Sequence, residues 1–206
     1  MSDLANHVLE GNKEKVALAV NNLVQAGTDV QDIVDQLIAG MNVVGQRFKN
    51  GEMFVPEVLM SANTMHEGMS IIKPLLTGKE LRSLGTIVIG TVQGDLHDIG
   101  KNLVAMMIAS GGFQVIDIGI DAPPEKFVEA VKEHNPDIVA MSALLTTTMI
   151  KMKETIELFE EEGFRKDIKV IVGGAPVSKE YSDQIGADGY APEASSAVDL
   201  CKLLLN

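Results

Sequence analysis

The chain of 206 residues has no tryptophan, a single cysteine and only 4% aromatic residues. One thiol, Cys201, cannot close an internal disulfide, which excludes a disulfide-stapled scaffold. Basic residues are also scarce, 17 lysines and arginines against 29 acids, for a formal net charge of −12. That balance opposes the phosphate-neutralising patches that nucleic acids and anionic membranes require, so neither is expected as a main partner. No signal-like segment is present, and no apolar run approaches the roughly 18 residues of a membrane span. The expected location is the cytoplasm.

Apolar residues, by contrast, make up 46% of the chain, ample for one large packed core or two small ones. Cys201 sits in a helical pattern with Leu200, Leu203 and Leu204 and reads as packing. Met41, Met53, Met60, Met65 and Met69 enrich the N-terminal part, where methionine commonly fills a core.

From Leu4 to Leu23 apolar residues recur at helical spacing, and Gly11-Asn12 divides a short helix from one carrying Val16, Val20, Leu23 and Val24. Ala26-Gly27-Thr28-Asp29 ends that helix and caps the next, whose stripe is Ile33, Leu37, Met41, Val44 and Phe48. After the Asn50-Gly51 turn, Pro56-Glu57 opens a further helix, with Leu59, Ile71, Ile72, Leu75 and Leu76 continuing the pattern to Pro74 and Gly78. A four-helix bundle is predicted over 1–77 and a linker over 78–85.

Thereafter strands and helices alternate. Strands are predicted at 86–91, 114–118, 137–142, 168–172 and 187–190, with helices at 99–110, 124–134, 147–161, 178–185 and 194–205. Continuously apolar stretches such as Ile138-Val139-Ala140 and Val170-Ile171-Val172 fit strands covered on both faces. The fold class is α/β: a doubly wound, five-stranded parallel sheet over 86–206, Rossmann-like or flavodoxin-like.

The chemistry gathers in 85–101. The β-branched run Ile87 to Ile89 leads into a loop with Gly94, Asp95, Leu96, His97 and Asp98, and a helix follows from Ile99. Ligands bind beyond the carboxyl ends of such strands. Asp95 is close enough to accept an imidazole N–H from His97 and fix which nitrogen stays free, as carboxylates do for metal-bound histidines. Alone, this pair could merely close a loop, and Gly173-Gly174 could be an ordinary tight turn. Their order changes the reading: Asp95-x-His97-x-x-Gly100 follows the first strand, Ser142-x-Leu144 the third and Gly173-Gly174 the fourth.

Those features resemble the cobalamin-binding domains of methionine synthase, base-off mutases and small corrinoid proteins. The helical part, with Met53-Phe54-Val55-Pro56-Glu57 and Ser61-Ala62, resembles the cap that precedes the cobalamin domain in methionine synthase. The resemblance implies a cobalamin or related corrinoid, cycling between methylcob(III)alamin and cob(I)alamin. It implies His97 as the lower axial ligand of cobalt, with the cofactor's own base displaced into a slot beside the sheet. Gly100, Gly173 and Gly174 would give that nucleotide tail clearance; Ser142 and Thr146 would offer hydroxyls; Leu144 and Ala194 would pack against it. Thr148 stands where methionine synthase completes a triad of Asp, His and a serine, while Thr147 reads as a cap of the following helix. Phe54 and Met60 match the cap residues that shield the upper cobalt face.

With no room for substrate-activating domains, the chain is expected to be a carrier, similar to the corrinoid proteins of methanol and methylamine systems. Its implied partners are a substrate:corrinoid methyltransferase, a second methyltransferase to tetrahydrofolate or a thiol coenzyme, and a reductive activase. Two other readings stay open from the same domain: a cobalamin-dependent sensor, in which His66 would become an upper ligand, and the cobalamin subunit of an adenosylcobalamin mutase. The absence of a DNA-binding segment, and the Phe54-Val55-Pro56 cap, speak against them.

Overall fold

A computed structural model describes residues 1–75 and 83–205. Four helices come first: α1 (Asp3–Leu9), α2 (Lys13–Gln25), α3 (Val30–Lys49) and α4 (Val55–Ile72). Short polar side chains begin the first three, as Ser2, Asn12 and Asp29 accept backbone N–H groups of Ala5, Lys15 and Gln31 at 3.3, 3.0 and 2.8 Å. α4 follows Phe54 instead; Glu57 reaches back to accept the Phe54 N–H at 2.8 Å, with Pro56 in the first turn. The expected stripe on α3 is buried at Ile33, Leu37, Met41 and Val44. At Gly40 a Cβ would stand 2.8 Å from the Ala5 carbonyl oxygen, so only glycine lets α1 and α3 approach that closely. Most of the expected 78–85 linker, with Leu76 of the apolar pattern and the Gly78 stop, lies outside the described residues.

The second unit is the predicted sheet, with β1 (Thr86–Thr91), β2 (Gln114–Asp117), β3 (Ile138–Ser142), β4 (Lys169–Gly173) and β5 (Gly189–Tyr190). All pairings are parallel and the order is β2-β1-β3-β4-β5, the flavodoxin-like arrangement. The helices are α5 (Ile99–Ser110), α6 (Pro124–His134), α7 (Ile150–Glu161), α8 (Lys179–Gln184) and α9 (Ala194–Leu204). Val88, Val139, Met141, Val170 and Val172 pack with Phe127, Met152, Ile156 and Phe159 into one core. Their neighbours Ile87, Ile89, Ile138, Ala140 and Ile171 alternate with them and are buried too. Both faces are therefore covered, which explains the uninterrupted apolar runs.

One expectation is corrected here. The 147–161 helix starts at Ile150, after a turn, and its N-cap is Met149 with no side-chain cap bond. Thr147 is therefore no cap, and the Thr148 hydroxyl in the turn before the helix serves another contact, described below.

Cys201 is fully buried in α9, and burial pushes its thiol up to about 12 from an ordinary 9.0. Alkylation of the native protein at pH 8 should be at least about 100-fold slower than in denaturant, because the thiolate is the nucleophile. Between the two values the unfolded chain binds fewer protons, so this group removes stability as pH rises through about 9 to 12. A urea titration at pH 7 and pH 10 checks the sign.

Candidate functional site

In a 2-1-3-4-5 sheet the winding reverses between β1 and β3, and the crevice at their carboxyl ends is where such folds place ligands. Thr91, Ser142 and Gly173 end three adjacent strands in register, forming one row along that edge. The loop after β1 carries Asp95 and His97; the loop after β3 carries Leu144 to Thr148.

Asp95 joins the two loops. It is fully buried, and its Oδ1 accepts the His97 backbone N–H at 3.1 Å and lies 2.7 Å from the His97 ring Nδ1. Its Oδ2 accepts the Leu144 and Leu145 N–H groups at 2.7 and 3.2 Å and the Thr148 hydroxyl at 2.9 Å. Burial by itself would raise this carboxyl. The bonds from Leu144, from the His97 ring and backbone and from Thr148 outweigh it and hold Asp95 well below the usual carboxylate range. The sign follows: this group's contribution to stability is present above about pH 4 and is lost only as pH falls well below that.

An ionised carboxylate can only accept, so the neutral ring must carry its proton on Nδ1. Nε2 then keeps its lone pair, on a side chain 51% exposed. Among the described residues no group of three or more His, Cys, Asp or Glu could hold a bare metal ion. A metal at His97 would have to bring its remaining ligands with it.

Around the imidazole, Leu96 is 66% and Leu144 43% exposed, apolar surface turned outward on a site edge. Gly94 takes a positive φ of 81° at the loop entry, and a Cβ on Gly100 would meet nothing within 4 Å. Thr146 is exposed, Asp98 half-buried, and Ala194 buried at the start of α9. Gly174 has φ +129°, and a Cβ there would fall 1.8 Å from the Ala143 carbonyl oxygen; one on Gly173 would lie 2.9 Å from the Ala191 oxygen. The sheet unit thus joins Asp95, His97, Leu144 and Thr148 by hydrogen bonds and sets Ser142 and Gly173 side by side at the ends of β3 and β4. Phe54 and Met60 belong to the helical unit, where they are 68% and 49% exposed.

Several residues of this arrangement were not singled out from the sequence. Asp121, in the loop after β2, has a left-handed φ of 49° and accepts the Gly94 N–H at 2.7 Å. Thr91 donates its hydroxyl to the His97 carbonyl at 2.9 Å, and Leu145 adds an amide to Asp95. Backbone donors leave no residue-type signal, and Asp121 lies 27 residues from its partner.

Two family models, each described as a B12 binding domain, match the chain, one over residues 85–199 and one over 2–73. The chain belongs to the B12-binding corrinoid proteins. It is 45% identical over its whole length to dimethylamine corrinoid protein 2 of Methanosarcina acetivorans, covering 95% of that protein. Among solved structures, a cobalamin-binding protein of Desulfitobacterium hafniense aligns with a TM-score of 0.82 at 35% identity, covering 98% of this chain and 97% of that one. A methanol:cobalamin methyltransferase complex of Methanosarcina barkeri aligns at 0.88 and 33%, covering 98% of this chain and 78% of that one.

The residues of this corrinoid protein suit such a cofactor. One imidazole nitrogen is available, its tautomer is fixed, and the surface beside it is apolar and uncluttered. Such a cofactor would supply the remaining ligands of its own metal, and His97 would offer that metal one nitrogen.

Proposed function

We propose that this corrinoid protein is a methyl carrier holding cobalamin or a related corrinoid with its own base off the cobalt and His97 on it. It serves a substrate:corrinoid methyltransferase and a second methyltransferase, to tetrahydrofolate or a thiol coenzyme, with a reductive activase to restore it. The carrying observation is the His97 ring, oriented through Nδ1 by a buried, fully bonded carboxylate. A bound corrinoid supplies a cobalt centre able to accept a methyl group and release it.

The chain's own residues bind, orient and tune. Asp95 fixes the tautomer and orientation of the His97 ring, and Thr148 fixes Asp95 by donating to Oδ2. Leu96 and Leu144 offer apolar surface to a broad, flat ligand, while Gly100 leaves its approach free. Ser142, Thr146, Gly173, Gly174 and Ala194 line the strand ends toward β4 and α9, where the resemblance puts the nucleotide tail. The helical unit, 1–77, takes the cap role through exposed Phe54 and Met60; the match of a B12 binding model over 2–73 supports this.

The dimethylamine and methanol systems named among the relatives make methylamines and methanol the first donors to try. Anaerobic reconstitution with a corrinoid, labelling the protein with ¹⁵N-histidine, tests the ligation: the reduced-cobalt paramagnetic spectrum should show coupling to one histidine nitrogen. An unaltered spectrum on labelling overturns His97 ligation.

Asp95→Asn should weaken corrinoid ligation by about 10- to 100-fold, the usual loss for a metal-bound histidine's carboxylate partner. Cofactor retention through gel filtration measures it. Retention equal to the native protein's would leave Asp95 without this role.

A further inference from the structure

Lys101 lies in the first turn of α5 and is only 3% exposed, an unusual place for an ammonium group. Its Nζ donates to the Asp117 carboxylate, at the end of β2, and to Asn102 Oδ1 at 2.7 Å. Asn102 in turn donates its side-chain amide to Asp98 Oδ2 at 3.1 Å and its backbone N–H to the Asp98 carbonyl at 2.7 Å. The other oxygen of Asp117 accepts the Gly119 N–H at 2.8 Å; the Gly119 carbonyl accepts the Thr91 N–H at 2.9 Å. Thr91 closes the path by donating its hydroxyl to the His97 carbonyl at 2.9 Å. Two hydrogen-bonded routes thus run from one ion pair, its ammonium buried and its Asp117 carboxylate 38% exposed, to His97 and to the residue after it.

Burying an ammonium costs several kcal/mol, and an apolar pair of similar volume commonly serves stability as well or better. A buried ammonium therefore explains itself better by the geometry it imposes than by the stability it adds. The carboxylate of Asp95 sets the orientation of the ring within its loop, but the height of that loop above the sheet needs a separate hold. The Lys101 pair sits where such a hold would act, on the β2 side, away from the Leu144–Thr148 side that Asp95 engages.

We infer that Lys101 and Asp117 are positioning residues that set the His97 loop against the end of β2, and thereby the reach of the imidazole toward the metal. The inference rests on the reading of His97 as a cobalt ligand only in its last clause; the anchoring itself is a property of the apoprotein. Losing the anchor should leave the sheet intact and the histidine loosely held.

The test is the double variant Lys101→Met with Asp117→Leu, which removes both charges and leaves neither uncompensated. In the apoprotein, amide exchange at His97 should rise about 10-fold or more while amides of β3 and β4 keep their protection, since the loop opens locally. Loaded with cobalamin, the fraction of protein showing histidine nitrogen coupling at cobalt should fall at least about three-fold, in line with other outer-partner losses. Asn102→Ala, at an exposed position, cuts only the Asp98 branch and should give the same pattern at smaller amplitude; it decides the matter if the double variant does not fold. Unchanged exchange at His97, or a rise shared equally by β3 and β4, overturns the anchor. If the native protein itself shows no histidine on cobalt, the ligand reading fails and the exchange result alone judges the anchor.

Discussion

His97→Ala should yield a folded apoprotein that has lost its hold on the corrinoid. The ring is half exposed and fills no core space, so its removal opens no cavity of the kind that costs several kcal/mol. Asp95 keeps the backbone N–H of residue 97, two amides from the neighbouring loop and the Thr148 hydroxyl. The stability cost should stay within about 1–2 kcal/mol, that of one charge-assisted hydrogen bond. Retention of cobalamin should fall more than about 100-fold, beyond the loss for a partner residue, because the ligand itself is gone. Added imidazole should restore part of the histidine-like spectrum. A variant that keeps its cofactor and its cobalt spectrum would remove the basis of the proposed function.

Gly174→Ala should do the opposite, damaging the fold first. A methyl group at this position meets the Ala143 carbonyl oxygen at 1.8 Å and its carbon at 2.8 Å, both backbone atoms that cannot rotate away. The residue also sits at φ +129°, a conformation that side chains strain against. Overpacking and backbone strain each cost about 1–3 kcal/mol, so a loss of about 3 kcal/mol or more is expected. The melting temperature should drop by about 10 °C or more for a unit of this size. Displacing Ala143 also moves the Leu144 and Leu145 amides that hold Asp95, so cofactor loss should follow. Gly100→Ala is the informative contrast. A Cβ there meets nothing, and alanine favours a helix by about 1 kcal/mol, so the apoprotein should be as stable or slightly more so. Its corrinoid retention then reports clearance alone.

The parallel sheet was legible because its strands, buried on both faces, must read as unbroken apolar runs, and its helices as period-3.6 stripes. The bundle was legible from its caps: Asn12 and Asp29 stand where helices start, and Glu57 backs the one start without a polar cap. The pairing of Asp95 with His97 could be read because it is local, two residues apart. What stayed hidden lies across long separations. The run Thr146 to Thr148 reads as a helix start, yet the helix begins later, at Ile150, and Thr148 reaches Asp95 from 53 residues away. The Lys101–Asp117 pair joins a helix to a strand end, and a lysine in an amphipathic helix carries no mark of being buried. Gly173-Gly174 reads from sequence as room for a ligand, but the atom that forbids a side chain at 174 belongs to the chain's own Ala143.

The two oxygens of Asp95 face different segments, one toward 97 and the other toward 144–148. A transplant of this centre into another scaffold would consequently need both stretches grafted together, at a fixed spacing between neighbouring strands. Moving the histidine loop by itself would deliver an imidazole whose carboxylate has nothing to brace it.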